Sequence, residues 1–132
     1  MSATTVADLM TEPVLTVDQD DQPGDIATAM LDRGIKSVVV IDDDCRPVGI
    51  LTSTDYVAMT AVGTDPYDTT VEEHMTRDIV TISGDTDVVT AAATMIEHGV
   101  NHLPVVGTDG QTIGILTASD LTASLADSAA DE

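Results

Sequence analysis

A chain of 132 residues suffices for one compact domain, and 42% hydrophobic residues suffice for its core. That core must be aliphatic, because Phe and Trp are absent and Tyr56 and Tyr67 are the only tyrosines. With 24 acidic residues against 4 basic ones, the formal net charge is −20, which excludes nucleic acid and anionic membrane surfaces as partners: the phosphate-neutralising cations are missing.

In chain order, the first expected element is a short helical turn ending at Met10. A brief strand over residues 14–17 follows, its β-branched residues suited to a pleated surface. A helix begins near Gly24, with Ile26, Met30 and Leu31 sharing a face, and stops at Gly34. Two hairpin strands, residues 38–41 and 48–51, flank a turn at 42–46, and a helix starts at Thr52-x-x-Asp55. Residues 57–70 read as a linker with a turn at 63–66. The series then recurs: a turn ending at Met75, a strand over 79–82, and a helix from Thr86 with Val88, Ala92, Met95 and Ile96 on one face, ending at Gly99. Strands at 103–106 and 113–116 around Asp109-Gly110 precede a helix from Thr117-x-x-Asp120, and residues 126–132 are expected to fray.

The recurrence is literal. Residues 6–56 align with 71–121 at an offset of 65 without a gap, and Gly49-Ile50-Leu51-Thr52-Ser53-Thr54-Asp55 returns as Gly114-Ile115-Leu116-Thr117-Ala118-Ser119-Asp120. Such self-similarity marks two copies of one supersecondary unit, each too small to bury its apolar face alone. The expected fold is α/β (α+β), a β-α-β-β-α repeat twice over, with repeat 1 at 1–66 and repeat 2 at 67–132 forming one module. A ligand or partner site is expected at the seam between the repeats, and twice.

Several residues stand out on chemistry alone. Thr followed three residues later by Asp fits a helix capping box, and beside a helix amino terminus it also offers hydroxyls and N–H groups to an anion. Lys36, the only lysine, follows a helix end, where the dipole favours a cation; it is equally able to meet a phosphate. Arg33 fits the dipole better, Arg46 lies in a turn, and Arg77 follows Met75-Thr76 near a strand. His98 and His102 have metal-pair spacing, but Gly99 and Pro104 break the helix they would need, so no metal site is expected. His74 has no evident partner. No Gly-rich phosphate loop or Cys–His constellation is present, so an enzyme is not expected. Cys45 is the sole cysteine, no apolar run is long enough to span a bilayer, and the amino terminus lacks signal-peptide features. A cytoplasmic protein is expected.

The ordered set Met-Thr, Val/Ile-x-Thr-Val/Ile, helix-ending Gly, Val-Val-Val or Leu-Pro-Val-Val, then Gly-Ile-Leu-Thr-x-x-Asp resembles the cystathionine β-synthase (CBS) domain. Two in tandem resemble a Bateman module. The resemblance spans roughly residues 6–125. It implies two facing three-stranded sheets with pseudo-two-fold symmetry, and clefts that take an adenosine compound such as AMP, ADP, ATP or S-adenosylmethionine. One cleft would use Thr16, Ile35, Lys36 and Ser37 with Thr117, Ser119 and Asp120. The other would use Thr81, Val100, Asn101 and His102 with Thr52, Thr54 and Asp55. Asp55 and Asp120 would accept the ribose hydroxyls, Lys36 would meet a phosphate, and Asn101 and His102 a base or phosphate. Val39 departs from the Pro-Val pattern kept at Pro104. The carboxylates around Asp20 and Asp21 would repel a polyphosphate. The implied role is regulation of a partner protein through a homodimer, with no obligatory cofactor. A ligand-free interaction module is the alternative. The dispersed acidity resembles that of cytoplasmic proteins of extreme halophiles and predicts a fold that needs salt to screen self-repulsion.

Overall fold

The computed structural model describes residues 4–12 and 14–130, the last five of them by backbone alone. In chain order the elements are α1 (Val6–Leu9), β1 (Thr16–Asp18), α2 (Pro23–Arg33), β2 (Ser37–Ile41), β3 (Pro47–Thr52), α3 (Ser53–Val62), α4 (Val71–His74), β4 (Ile82–Ser83), α5 (Val88–His98), β5 (His102–Val106), β6 (Thr112–Thr117) and α6 (Ala118–Ala130). This is a mixed α+β fold with two three-stranded sheets, ordered β1-β2-β3 and β4-β5-β6. In each sheet the first strand runs parallel to the central one, and the last two form an antiparallel hairpin.

The compact units are not the sequence repeats. The central unit is Leu15–Ile79; the terminal unit joins Met1–Val14 to Val80–Glu132. Each sheet therefore receives its starter segment from the other repeat. Helix α1 enters the terminal unit through Val6 N to the Thr86 carbonyl at 2.8 Å and Ala7 N to the Gly84 carbonyl at 2.9 Å. Helix α4 enters the central unit the same way, Val71 N donating to the Asp21 carbonyl and Glu72 N to the Gln19 carbonyl, both at 2.9 Å. Capping boxes start both, Thr5 with Asp8 and Thr70 with Glu73. Val6 and Val71 are fully buried, so these two single-turn helices act as core plugs.

Behind each starter comes the Met-Thr pair, and it explains the glycine of Gly-Ile-Leu-Thr. A Cβ at Gly49 would lie 2.7 Å from Met75 Sδ and 2.9 Å from the Thr76 carbonyl oxygen. At Gly114 the corresponding clash is with Met10 Sδ at 2.5 Å. Bridges between Thr76 and Ile50, and between Thr11 and Ile115, hold the segments at that distance.

Helices α2 and α5 cover one face of their sheets. Pro23 sits at the start of α2, Asp87 caps α5 by accepting from Thr90 N at 2.7 Å, and both end on left-handed glycines, Gly34 and Gly99. The core of the central unit joins Ile26, Met30, Val38, Val40, Leu51, Met59 and Val71. That of the terminal unit joins Val6, Ile82, Ala91, Met95, Leu103, Val105 and Leu116.

Four expectations need correction. Leu31 and Ile96 are not on the core faces: each is 83% exposed, one residue and about 100° around the helix from buried Met30 and Met95. The first strands start later than expected, at Thr16 and Ile82. Helix α3 runs on to Val62 and caps at Gly63 (φ 77°), shortening the linker to residues 63–70. Helix α6 continues to Ala130, so the frayed segment is not seen over 126–130, and residues 131–132 lie outside the described residues.

Pro104 leaves a visible trace. In the central unit Val39 N donates to the Leu15 carbonyl at 3.2 Å, extending the parallel pairing. Pro104, at the matching place in the central strand β5, has no N–H to give, and β4 is two residues long where β1 has three.

Candidate functional site

Sheet register decides which residues share a face. Ser37 stands opposite Thr52 and Val39 opposite Ile50, while Val38 and Leu51 between them point into the core. Thr16 is level with Val39 and joins the same face. In the terminal unit His102 stands opposite Thr117 and Pro104 opposite Ile115. Each unit thus gathers polar side chains on the sheet face turned away from its own core helix. Ser37 is the one buried polar side chain among the described residues, at 7% exposure.

The last strand of each sheet feeds directly into a helix at Thr-x-x-Asp. Thr52 N and Oγ1 both donate to Asp55 Oδ2, at 2.8 and 3.2 Å. Thr117 N donates to Asp120 Oδ2 at 2.9 Å, and Asp120 N donates back to Thr117 Oγ1 at 3.1 Å. The capping expected from spacing is therefore present in both copies.

Capping leaves room for a second role. Ser53 N is taken by the Lys36 carbonyl and Ala118 N by that of Asn101, both at 3.0 Å, tying the residues after the helix-ending glycines to the helix starts. The N–H groups of Thr54 and Ser119 have no acceptor among the described residues. They are first-turn donors with the dipole behind them, in exposed positions beside a half-buried carboxylate.

The expected site residues divide by unit. The central unit brings Lys36, Ser37, Thr52, Thr54 and Asp55 together, with Thr16 two strands from Thr52 on the same sheet face. The terminal unit brings together Asn101, His102, Thr117, Ser119 and Asp120. Thr81 is exposed, immediately before β4. The side chains of Ile35 and Val100 pack against the cores. All four basic residues, Arg33, Lys36, Arg46 and Arg77, lie within the central unit.

Electrostatics refine these roles. Burial pushes the His102 imidazole below its ordinary value, so the ring is neutral at pH 7, a donor and acceptor instead of a cation. The Tyr56 phenol is pushed up to about 12 by burial and by the neighbouring Asp55 charge, and its hydroxyl donates to the Pro23 carbonyl at 2.6 Å. Arg77 is engaged by Glu72, at 3.4 Å to the carboxylate and 3.2 Å to the carbonyl. His74 does have a partner, the Thr69 hydroxyl at 3.1 Å. Asp18, Asp20 and Asp21 crowd the turn before α2, with ligand-type oxygens within 4.8 Å of one another.

One neighbour of the site escaped sequence reasoning. Thr11 Oγ1 donates to the Asp120 carboxylate, at 3.3 Å to Oδ1 and 3.5 Å to Oδ2. The repeat of Met-Thr at an offset of 65 was the available signal, but nothing in the spacing ties residue 11 to residue 120. No helix among the described residues is long and apolar enough to cross a membrane.

Comparison with known proteins agrees with this architecture. The CBS domain family profile matches residues 6–59 and 71–127. The "uncharacterized 17.7 kDa protein in bps2 3′ region" of Acidianus ambivalens is 34% identical over 125 residues, 95% of this chain and 75% of that protein. The homoserine O-acetyltransferase of Methanococcoides burtonii is 32% identical over 121 residues, yet this chain spans only 24% of its length. Among solved structures, the CBS domain pair of protein MJ0100, in complex with 5-methylthioadenosine and S-adenosyl-L-methionine, superposes with a TM-score of 0.86. It is 26% identical, covering 96% of this chain and 99% of that one. CBSX2 in complex with AMP gives a TM-score of 0.78 at 26% identity, covering 93% and 96%. The chain belongs to the CBS domain family and carries two CBS domains in tandem.

Proposed function

We propose that this CBS pair is a regulatory module, not an enzyme, that binds an adenosine-containing ligand and signals its occupancy to a partner protein. The observation that carries the reading is the duplicated Thr-x-x-Asp start of α3 and α6. Each presents a carboxylate with spare acceptor capacity next to an unengaged first-turn N–H group. A ribose offers two hydroxyl donors and a phosphate offers acceptor oxygens, so an adenosine compound complements both features. The likeness to CBS pairs solved with S-adenosyl-L-methionine, 5-methylthioadenosine and AMP supports the same ligand class.

The residues proposed to meet the ligand are those that the family resemblance implies, taken unit by unit: Thr16, Ile35, Lys36, Ser37, Thr52, Thr54 and Asp55 in the central unit, and Thr81, Val100, Asn101, His102, Thr117, Ser119 and Asp120 in the terminal unit. Lys36 favours a phosphate in the first group. Neutral His102 and Asn101 favour a ligand of lower charge in the second. The module acts in the cytoplasm of a salt-adapted cell, as a homodimer. For pairing, α3 offers Val57 and Val62, 68% and 77% exposed, while Met59 on the same helix is buried in the core. A shallow concavity lined by Tyr56, Val57, Thr60 and Ala61 lies on the same helix.

Isothermal titration in about 2 M KCl, where screening is strong, tests the reading with AMP, ATP, S-adenosylmethionine and NAD. Saturable heat that is lost in Asp55→Ala or Asp120→Ala supports it. No heat from folded wild-type protein overturns it in favour of an interaction module, which the exposed apolar face of α3 would serve.

A further inference from the structure

The two Thr-x-x-Asp carboxylates are alike in sequence but not in what already occupies them. Asp120 receives the Thr11 hydroxyl on both oxygens, at 3.3 and 3.5 Å, in addition to the Thr117 N–H on Oδ2. Asp55 receives both of its hydrogen bonds on Oδ2, from Thr52 N and Oγ1, and its Oδ1 accepts nothing among the described residues. The residue that matches Thr11 is Thr76. Its backbone is anchored alike, Thr76 N to the Ile50 carbonyl at 2.9 Å where Thr11 N meets the Ile115 carbonyl at 2.9 Å. Yet the Thr76 hydroxyl makes no hydrogen bond to Asp55. The following residue differs too, Glu12 after Thr11 and Arg77 after Thr76, so the segment beside Asp120 adds negative charge where its counterpart adds positive.

We propose that Thr11 gates Asp120. Its hydroxyl is an intramolecular stand-in for one hydroxyl of a ribose: same donor chemistry, same acceptor oxygens. A diol that engages both oxygens of Asp120 competes with that hydroxyl, whereas Asp55 meets the diol with Oδ1 open. The two carboxylates therefore fill in order, Asp55 before Asp120. Occupation of Asp120 also frees the side-chain tether that holds the segment after α1 to the start of α6. The second binding event is the one that alters the amino-terminal segment, and so the one able to report a high ligand concentration. A conformational response requires such an unequal interaction with the two states.

The gate rests on the adenosine-ligand reading, and the experiment separates the two. AMP and S-adenosylmethionine are titrated calorimetrically in about 2 M KCl into wild type, Asp55→Asn, Asp120→Asn, Thr11→Val, Thr11→Ser and Thr76→Val, each checked by circular dichroism for folding. The Asn variants assign each binding event to its carboxylate. The tighter event is expected to depend on Asp55. Thr11→Val, which removes the hydroxyl but keeps the shape, should tighten the Asp120-dependent event about three- to tenfold, the worth of one long hydrogen bond. Thr11→Ser should restore wild-type behaviour, and Thr76→Val should change neither event. An Asp120-dependent event that is unchanged or weakened in folded Thr11→Val overturns the gate and leaves the ligand reading standing. So does a tighter event that depends on Asp120. Absence of binding by every folded protein overturns both.

Discussion

Met10 lies over Gly114 so closely that a Cβ at that glycine would come within 2.5 Å of the methionine sulfur. Met75 and Gly49 repeat the relationship at 2.7 Å. Two motifs that seem unrelated along the chain are thus the two sides of one contact, each contact joining the starter segment of one repeat to the last strand of the other.

Gly49→Ala and Gly114→Ala should each destabilise the protein by about 1–3 kcal/mol, the usual cost of overpacking. The Thr76 carbonyl, 2.9 Å from the Gly49 position, cannot swing aside as a methionine side chain can. Chemical denaturation at fixed salt measures the effect. Pairing Gly114→Ala with Met10→Ala should recover part of the loss, because the sulfur is the nearest obstacle there.

Salt should govern folding. At a net charge of −20 the compact state gains from screening, which shortens the reach of repulsion from about 10 Å at 0.1 M to about 3 Å at 1 M. Thermal unfolding followed by circular dichroism should show a melting temperature that climbs steeply with KCl. A melting temperature that is flat between 0.1 and 2 M would remove the salt-adapted reading.

His102 should give stability a pH dependence of known sign. Its folded pKa lies below the ordinary value because burial disfavours the cation, so the unfolded chain binds the proton more readily. Stability is then fully present above about pH 6.5 and declines as pH falls from there toward the lower folded value. His102→Gln should flatten that part of the profile, measured by denaturant titration between pH 8 and pH 5 in high salt.

Tyr56 gives the opposite case. Its phenol, raised to about 12, keeps its proton well past the point at which an unfolded tyrosine would lose it. The associated stability is fully present below about pH 10 and is lost as pH rises through 12. Ultraviolet titration should show one phenol ionising near that value, and the step should vanish in Tyr56→Phe. Loss of the 2.6 Å bond to the Pro23 carbonyl should cost about 1 kcal/mol of stability in that variant.

Much of this fold was legible because the sequence states it twice. The helix ends at Gly34 and Gly99, the hairpins and the Thr-x-x-Asp caps all follow from local chemistry, and an error in one copy is checked by the other. Leu31 and Ile96 misled because an apolar residue next to a core methionine is as cheap to write on the exposed side of a helix as on the buried one. The exchange of starter segments was illegible for a different reason. Val6 and Val71 read as first residues of their own repeats, and only long-range hydrogen bonds, such as Val6 N to Thr86 and Val71 N to Asp21, assign them elsewhere. The same distance in sequence hid Thr11 from Asp120. The candidate site was legible in its Thr-x-x-Asp half, while the inequality of its two carboxylates was not.

The exchange of α1 and α4 bears on how such a chain could have arisen. A single copy of the repeat, made alone, carries a plug valine that fits a sheet like its own but reaches that of its neighbour in the present connectivity. Two free copies could trade plugs and satisfy both sheets as a swapped dimer, and fusing their genes end to end would preserve every one of those contacts. Residues 1–66 and 67–132, expressed as separate chains, should therefore be poorly folded apart and should reassemble when mixed. Cuts near residues 14 and 79 would instead release the central unit with its own plug in place.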